Sequence, residues 1–228
     1  LVSESHVDNF YYKPRTTFAM LKRYSKGLIG TSACIAGIIP RLLDLGQYED
    51  AMSWARKLAG LFEPGDFYLE LQDQGVVTDL GHTQHELNVQ LSQIAKECGL
   101  KTIATNDFHY LTHDDAKAQD IILCIGTGSQ VDDTNRMRFS NDQFYMKTEE
   151  EMRAALADFP EACDNTVEIA EKCNVVLERD SILPRFPVPE GETEVSWFRK
   201  QCESGLVRRY GEDKAQTFQE LAQLRPEV

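Results

Sequence analysis

Along this chain, short apolar runs alternate with longer segments whose apolar residues recur every three or four positions. That alternation is the signature of strands separated by helices. Gly27-Leu28-Ile29-Gly30-Thr31-Ser32-Ala33-Cys34 is apolar, partly β-branched and punctuated by glycine, and reads as a short buried strand. Ala51, Trp54, Ala55, Leu58 and Leu61 place a helix over about 47–61. The Pro64-Gly65-Asp66 turn leads into a second strand, Phe67-Tyr68-Leu69-Glu70-Leu71-Gln72. A long helix over about 79–98 follows, with Leu87, Leu91, Ile94, Ala95 and Cys98 as its stripe and Gly99 as a left-handed cap. Lys101-Thr102-Ile103-Ala104-Thr105-Asn106 is a third strand.

Asp114 or Asp115 can cap a helix reaching about Ile125, and the polar stretch from Gly126 to Asn141 reads as a loop. Thr148 with Glu151 three residues on is a capping box for a helix ending near Leu156. Pro160 suits the first turn of another helix over about 160–173. Three prolines between Pro184 and Pro189 disfavour helix and ladder alike, so residues 181–193 read as an extended connector between domain portions 1–180 and 194–228, the last helical. Strand–helix alternation predicts an α/β fold with parallel strands, whose functional groups lie just past the carboxyl ends of the strands. The chain opens on Leu1-Val2-Ser3 without Met and stops at Pro226-Glu227-Val228; both ends look cut, and a piece of something larger is expected.

Charge sharpens this picture. The 228 residues carry a net −13, yet residues 1–30 hold Lys13, Arg15, Lys22, Arg23 and Lys26 against Glu4 and Asp8. Wide nucleic-acid contact by so acidic a chain alone is not expected. The 42% hydrophobic content fits a globular core. No apolar run approaches the roughly 20 residues of a membrane helix, and no secretory leader is seen. Six cysteines without CxxC spacing read as reduced thiols, which points to the cytoplasm.

Past the third strand, Asp107 and His109 are two apart, so in extended backbone both point to one side. A carboxylate beside an imidazole suits zinc or manganese; the alternative is an Asp cap followed by a surface His. Cys34, past the first strand, is either a third donor or a small buried thiol. His82 and His85 are spaced i, i+3 on the long helix without an obvious third ligand, which favours an exposed polar face. No phosphate-binding glycine loop, G-x-S-x-G or G-x-G-x-x-G occurs, and the D-x-D carboxylates of a polymerase palm are not seen.

Several runs are familiar as words. Phe10-Tyr11-Tyr12-Lys13-Pro14-Arg15, Ser32-Ala33-Cys34, Phe67 to Gln72, and Ala104-Thr105-Asn106-Asp107-Phe108-His109-Tyr110 are among them. So are Phe144-Tyr145-Met146-Lys147-Thr148 and Leu183-Pro184-Arg185-Phe186-Pro187. In this order they resemble the PHP (polymerase and histidinol phosphatase) domain of bacterial DNA polymerase III alpha subunits, across almost the whole chain.

The resemblance implies the C-terminal part of a distorted (β/α)7 barrel, followed by the start of a palm-proximal helical region. It also implies a divalent-metal site, zinc or manganese, with Cys34, Asp107 and His109 on three ligand positions. The other ligands, including an H-x-H motif, would precede Leu1. Gln74 departs from the His that many relatives carry there. Some members are metal-dependent 3′–5′ exonucleases, the metal ions activating water against a phosphodiester; others are scaffolds for a separate proofreading subunit. The resemblance therefore implies DNA and other holoenzyme subunits as partners of the parent. It also implies no catalytic residue complete in this chain, and an open sheet edge through which the chain could self-associate. A stand-alone phosphoesterase acting on small phosphates and a non-catalytic interaction module are the alternatives.

Overall fold

The computed structural model describes residues 1–177, 184–214 and 216–217. It divides into two units, Leu1–Asn174 and Val175–Val228. In the first, a helix α1 (Val2–Val7) leads into a small antiparallel hairpin, β1 (Phe10–Tyr11) and β2 (Lys13–Pro14), and then helix α2 (Phe18–Tyr24). Next come β3 (Gly30–Thr31), helices α3 (Ile38–Asp44) and α4 (Tyr48–Ala59), β4 (Phe67–Leu71), α5 (Gln84–Cys98) and β5 (Lys101–Ala104). A short 3-10 turn (His113–Asp115), α6 (Ala116–Thr127), α7 (Glu149–Ala155) and α8 (Pro160–Lys172) complete it.

The strands β3, β4 and β5 form one sheet in that order, both pairings parallel, with Thr31 opposite Tyr68 and Glu70 opposite Ile103. The parallel α/β reading of the sequence is therefore correct, but the sheet has three strands and does not close into a barrel among the described residues. The ladders are also shorter than expected. Only Gly30–Thr31 of the run 27–34 pairs, and β5 ends at Ala104 rather than Asn106. Ala33 at φ 62° and Asp107 at φ 43° turn the backbone out of extended conformation just past each strand.

Period two decides what each side of β4 buries. Phe67, Leu69 and Leu71 point to the helices and pack with Ile39 and Leu43 of α3, Ala51 and Ala55 of α4, and Leu87, Leu91 and Ile94 of α5. Ala104, Leu156, Ala162 and Cys163 extend this core to α8. Helix α5 begins at Gln84, later than the expected start near residue 79, because Thr83 and Glu86 form a capping box. Residues 76–83 are instead a tight loop in which Thr78 N–H donates to His82 O (2.8 Å). The expected caps at Gly99 (φ 66°) and at Thr148 with Glu151 are both present.

Helix α8 lies along the free edge of β5. Asn165 Nδ2 donates to Thr102 O at 2.7 Å, taking one carbonyl that a further strand would otherwise take. Lower on the same helix, Glu168 accepts from Tyr68 Oη (2.9 Å) and from Lys101 Nζ. Lys172 Nζ donates to Tyr68 Oη (3.0 Å) and Gly65 O (2.9 Å). These bonds hold the Glu168 carboxyl down at about 2, the Lys101 ammonium contributing most, and raise Lys172 well above an ordinary lysine.

In the second unit, helix α9 (Glu194–Tyr210) is capped by Thr193, whose side chain accepts from Ser196 N–H, and it buries no residue. Residues 212–214 and 216–217 are again helical. The expectations for residues 178–183 and 218–228, which include the start of the proline-rich connector and the end of the helical segment, lie outside the described residues. No helix among the described residues is long and apolar enough to cross a membrane.

Candidate functional site

The face of the sheet turned away from α3–α5 is polar, because Tyr68, Glu70 and Gln72 alternate with the core residues of β4. Glu70 sits between all three strands. Its Oε2 accepts from Thr31 Oγ1 (2.6 Å), and its Oε1 accepts from Thr105 Oγ1 and from Gln72 Nε2 (3.0 Å). Gln72 Nε2 also reaches Thr105 Oγ1 at 2.9 Å, and Glu70 N–H donates to Ser32 Oγ at 2.8 Å. Donors from β3 and from the residues just past β4 and β5 thus converge on one carboxylate.

Just past the strands, a buried set of amides fixes the loops. Gln84 Oε1 accepts from the N–H groups of Gln74 (2.8 Å) and Val76 (3.0 Å), and its Nε2 donates to Gln74 Oε1 (2.8 Å). Gln74 Nε2 donates to Asn106 O at 2.8 Å, and Asn141 Nδ2 donates to Gln74 O at 2.7 Å. Gln74 thus fastens the backbone next to Asp107. Asn106 Nδ2 in turn donates to Tyr145 O (2.9 Å), while its buried Oδ1 has no partner.

On this frame Asp107 and His109 meet: Asp107 Oδ1 lies 3.4 Å from His109 Nε2, both side chains about two-fifths exposed. The route differs from the simple period-two expectation. Asp107 is in the left-handed region, which Asp tolerates better than most residues, so the pair is brought together by a turn and not by extended strand. His109 N–H donates to Phe144 O (2.8 Å), and its ring packs against Phe139 with centroids 4.7 Å apart.

Cys34 occupies a different place. It lines a small cavity of about 20 Å³ with Glu70, Gln72, Gln84, Leu87 and Asn88. The turn behind it is tight. Cys34 O accepts from Gly37 N–H (2.7 Å), and a Cβ on Gly37 would lie 2.4 Å from Ser32 O, so only glycine fits there. All six cysteines are unpaired.

Among the described residues, no three His, Cys, Asp or Glu side chains are grouped so that they could hold a metal ion. Asp107, His109 and Cys34 suit zinc or manganese in kind but fall short in number and grouping. His82 and His85 do not converge either. His82 Nδ1 bonds Asp44 Oδ1 (2.9 Å), and His85 Nε2 faces Asp158 (3.6 Å). Sequence reasoning missed the Glu70 hub and the Gln74–Gln84 pair; the one available signal was a Glu and two Gln alternating through an otherwise apolar strand end.

Residues 1–74 match the family model described as PHP domain. Over nearly its whole length the chain is then similar to named proteins of one kind. It is 42% identical over 216 residues to the DNA polymerase III subunit alpha of Borreliella burgdorferi, covering 92% of this chain and 18% of that protein. It is 36% identical over 212 residues to the DNA polymerase III subunit alpha of Treponema pallidum, again 92% and 18%. With that of Thermus aquaticus it shares 37% over 226 residues, 96% of this chain and 18% of that one. The chain spans about a fifth of the length of these curated relatives.

Proposed function

We propose that this chain is the C-terminal part of a PHP domain, with the start of the next region, of a replicative DNA polymerase III alpha subunit. The observation that carries this reading is the similarity to those subunits, which continues far beyond the residues matched by the PHP model. The parent polypeptide would act in the cytoplasm as a DNA-directed DNA polymerase with holoenzyme partners. Its PHP portion would close as a barrel with strands this chain does not contain. Asp107, His109 and Cys34 would be three donors of a divalent-metal site completed from elsewhere, which in the parent supports 3′–5′ exonuclease chemistry. Among the described residues there is no grouped metal site, and the sequence shows no D-x-D palm carboxylates; the chain alone is therefore expected to show neither polymerase activity nor strong nuclease activity.

A second reading, a non-catalytic scaffold, is favoured by the same lack of a grouped donor set among the described residues. Three assays test these readings. Labelled single-stranded DNA with manganese or zinc is expected to survive incubation with this chain; turnover lost in Asp107→Ala and His109→Ala would overturn the inactive-fragment reading. The longer polypeptide carrying this sequence is expected to extend a primed template, and failure to do so would overturn the polymerase reading. Metal-dependent DNA degradation by that polypeptide, abolished by Asp107→Ala, would decide for the nuclease over the scaffold.

A further inference from the structure

The run Phe10-Tyr11-Tyr12-Lys13-Pro14-Arg15 takes no part in the strand-end site. It forms the β1–β2 hairpin, in which Phe10 pairs with Pro14, Tyr11 pairs with Lys13, and Tyr12 stands at the tip. Residues directly opposite in an antiparallel pair share a face, so Tyr11 and Lys13 lie on one side of the ribbon. Arg15 joins them, its guanidinium carbon 4.8 Å from the centre of the Tyr11 ring. The base of the hairpin is anchored. Arg15 N–H donates to Asn9 O (3.2 Å), and Asn9 Nδ2 donates to the sulfur of the buried Met20 (3.2 Å). At the tip, Tyr12 has φ 59°, a backbone that is costly for a bulky residue, and it is 83% exposed.

The Tyr11 and Tyr12 rings meet edge to face, their centroids 4.6 Å apart and their planes at 75°. Residues 9–17 contain no acid. Among the described residues neither Lys13 nor Arg15 forms an ion pair, whereas Arg23 of α2 is bound to Glu4 at 3.0 Å. Two unpaired cations thus stand beside two open aromatic rings, in a chain whose net charge is −13.

We propose that this hairpin binds a single nucleic-acid strand, with Tyr11 and Tyr12 stacking on its bases and Lys13 and Arg15 meeting its phosphates. The combination of groups selects this ligand. A polypeptide segment that sealed the rings with apolar side chains would bury Lys13 and Arg15 without counter-charges, at a cost. An acidic peptide would neutralise the cations but leave the ring faces without a partner. A lipid surface is broad, and it would press its anions against the acidic remainder of the chain. A single strand is narrow enough to meet the hairpin alone, and it offers flat bases and phosphates together. The proposal goes beyond the polymerase and scaffold readings and needs neither. Its test reads binding alone, so its failure leaves both as they stand.

The test follows fluorescence anisotropy of a labelled thymidylate strand of about 10 nucleotides with the 228-residue chain at low salt. The strand binds, and it binds more tightly than an abasic strand of the same length. A uridylate strand run in parallel tells DNA from RNA, and binding of either at the hairpin supports the proposal. Tyr11→Ala with Tyr12→Ala weakens binding by about fivefold or more and removes the preference over the abasic strand. Lys13→Gln with Arg15→Gln flattens the slope of log affinity against log salt by about 1.4, at about 0.7 for each phosphate contact. All four residues are exposed, so neither double variant lowers the melting temperature. No binding, equal binding of the abasic strand, or binding indifferent to both double substitutions overturns the proposal. So does tighter binding of a polyglutamate peptide or of phosphatidylserine vesicles at the hairpin. In the longer polypeptide, Tyr11 and Tyr12 should take up iodine until the strand is added; rings shielded without the strand are covered by the rest of that polypeptide, which also overturns it.

Discussion

The two faces of β4 do opposite work with alternate residues of one short run, Phe67 to Gln72. Toward α3–α5, Phe67, Leu69 and Leu71 are sealed in hydrocarbon, Leu69 and Leu71 with no exposure at all. Toward the other side, Tyr68, Glu70 and Gln72 enter hydrogen bonds that run to β3, β5 and α8. The apolar face supplies non-directional stabilisation that scales with buried area. The polar face adds less net stability per contact but fixes positions, since each bond has a required length and angle. Position matters most at the strand ends, where Asp107, His109 and Cys34 emerge.

Substitutions on the two faces should therefore differ in size and in kind. The largest effect belongs to Leu69→Ala, which opens a cavity where α4, α5 and the sheet meet. Its unfolding free energy by urea titration should fall by about 2–5 kcal/mol. A loss below about 1 kcal/mol would mean this core collapses around the gap or is not packed as described. On the opposite face, Glu70→Ala deprives Thr31, Gln72 and Thr105 of their common acceptor and should cost about 1–3 kcal/mol. If it costs as much as Leu69→Ala, the polar hub is as central to stability as the core, and the contrast between the faces fails.

The apolar face was also the more legible one. Period two in Phe67–Leu71 and the stripe Leu87, Leu91, Ile94 identify strand, helix and their contact without coordinates, because burial is written into residue type. Caps were legible where one residue decides the conformation, as at Gly99 and Thr148. Helix α3 escaped because seven residues containing Pro40 give no full period, and the run from Gly27 to Cys34 looked like a longer strand than the two residues that pair. The Gln74–Gln84 and Glu70–Thr31 bonds join residues 10 and 39 apart in sequence. Hydrogen-bond partners carry no periodicity, so nothing in the sequence announced them. For the same reason Asp107 and His109 were found as a pair, but the left-handed turn that joins them was not.

The clamp between α8 and the sheet edge tests the polar side through pH. The Glu168 carboxyl ionises near 2 when folded, against an ordinary value of 4.5. A carboxyl with a depressed folded pKa contributes stability that is present above its unfolded pKa and is lost as pH falls through the folded value. The chain should therefore lose stability between about pH 4.5 and 2, in part through Glu168. Melting curves of Glu168→Gln should start lower at neutral pH and fall less steeply across that window. Parallel decline of the two proteins would show that Lys101, Tyr68 and Lys172 do not hold the ionised carboxylate in solution. Because this group lies near the surface, salt should also shrink the difference.

The smallest effect is expected at the strand-end pair itself. Asp107 and His109 touch at 3.4 Å, but each is about two-fifths exposed, and water and salt screen such a contact. Asp107→Asn keeps a residue tolerant of the left-handed backbone at φ 43° and removes only the charge. The loop's own anchors, Gln74 to Asn106 O and His109 N–H to Phe144 O, remain in place. Unfolding free energy should then change by less than about 0.5 kcal/mol, within the range of ordinary surface substitutions. A change beyond about 1 kcal/mol would make the pair part of the scaffold and would close the gap between the two faces of the sheet. A negligible change would leave a carboxylate and an imidazole that the loops position at a strand end but that the fold does not need. Under the proposed function, their loss should appear in metal-dependent DNA degradation by the longer polypeptide and not in its melting temperature.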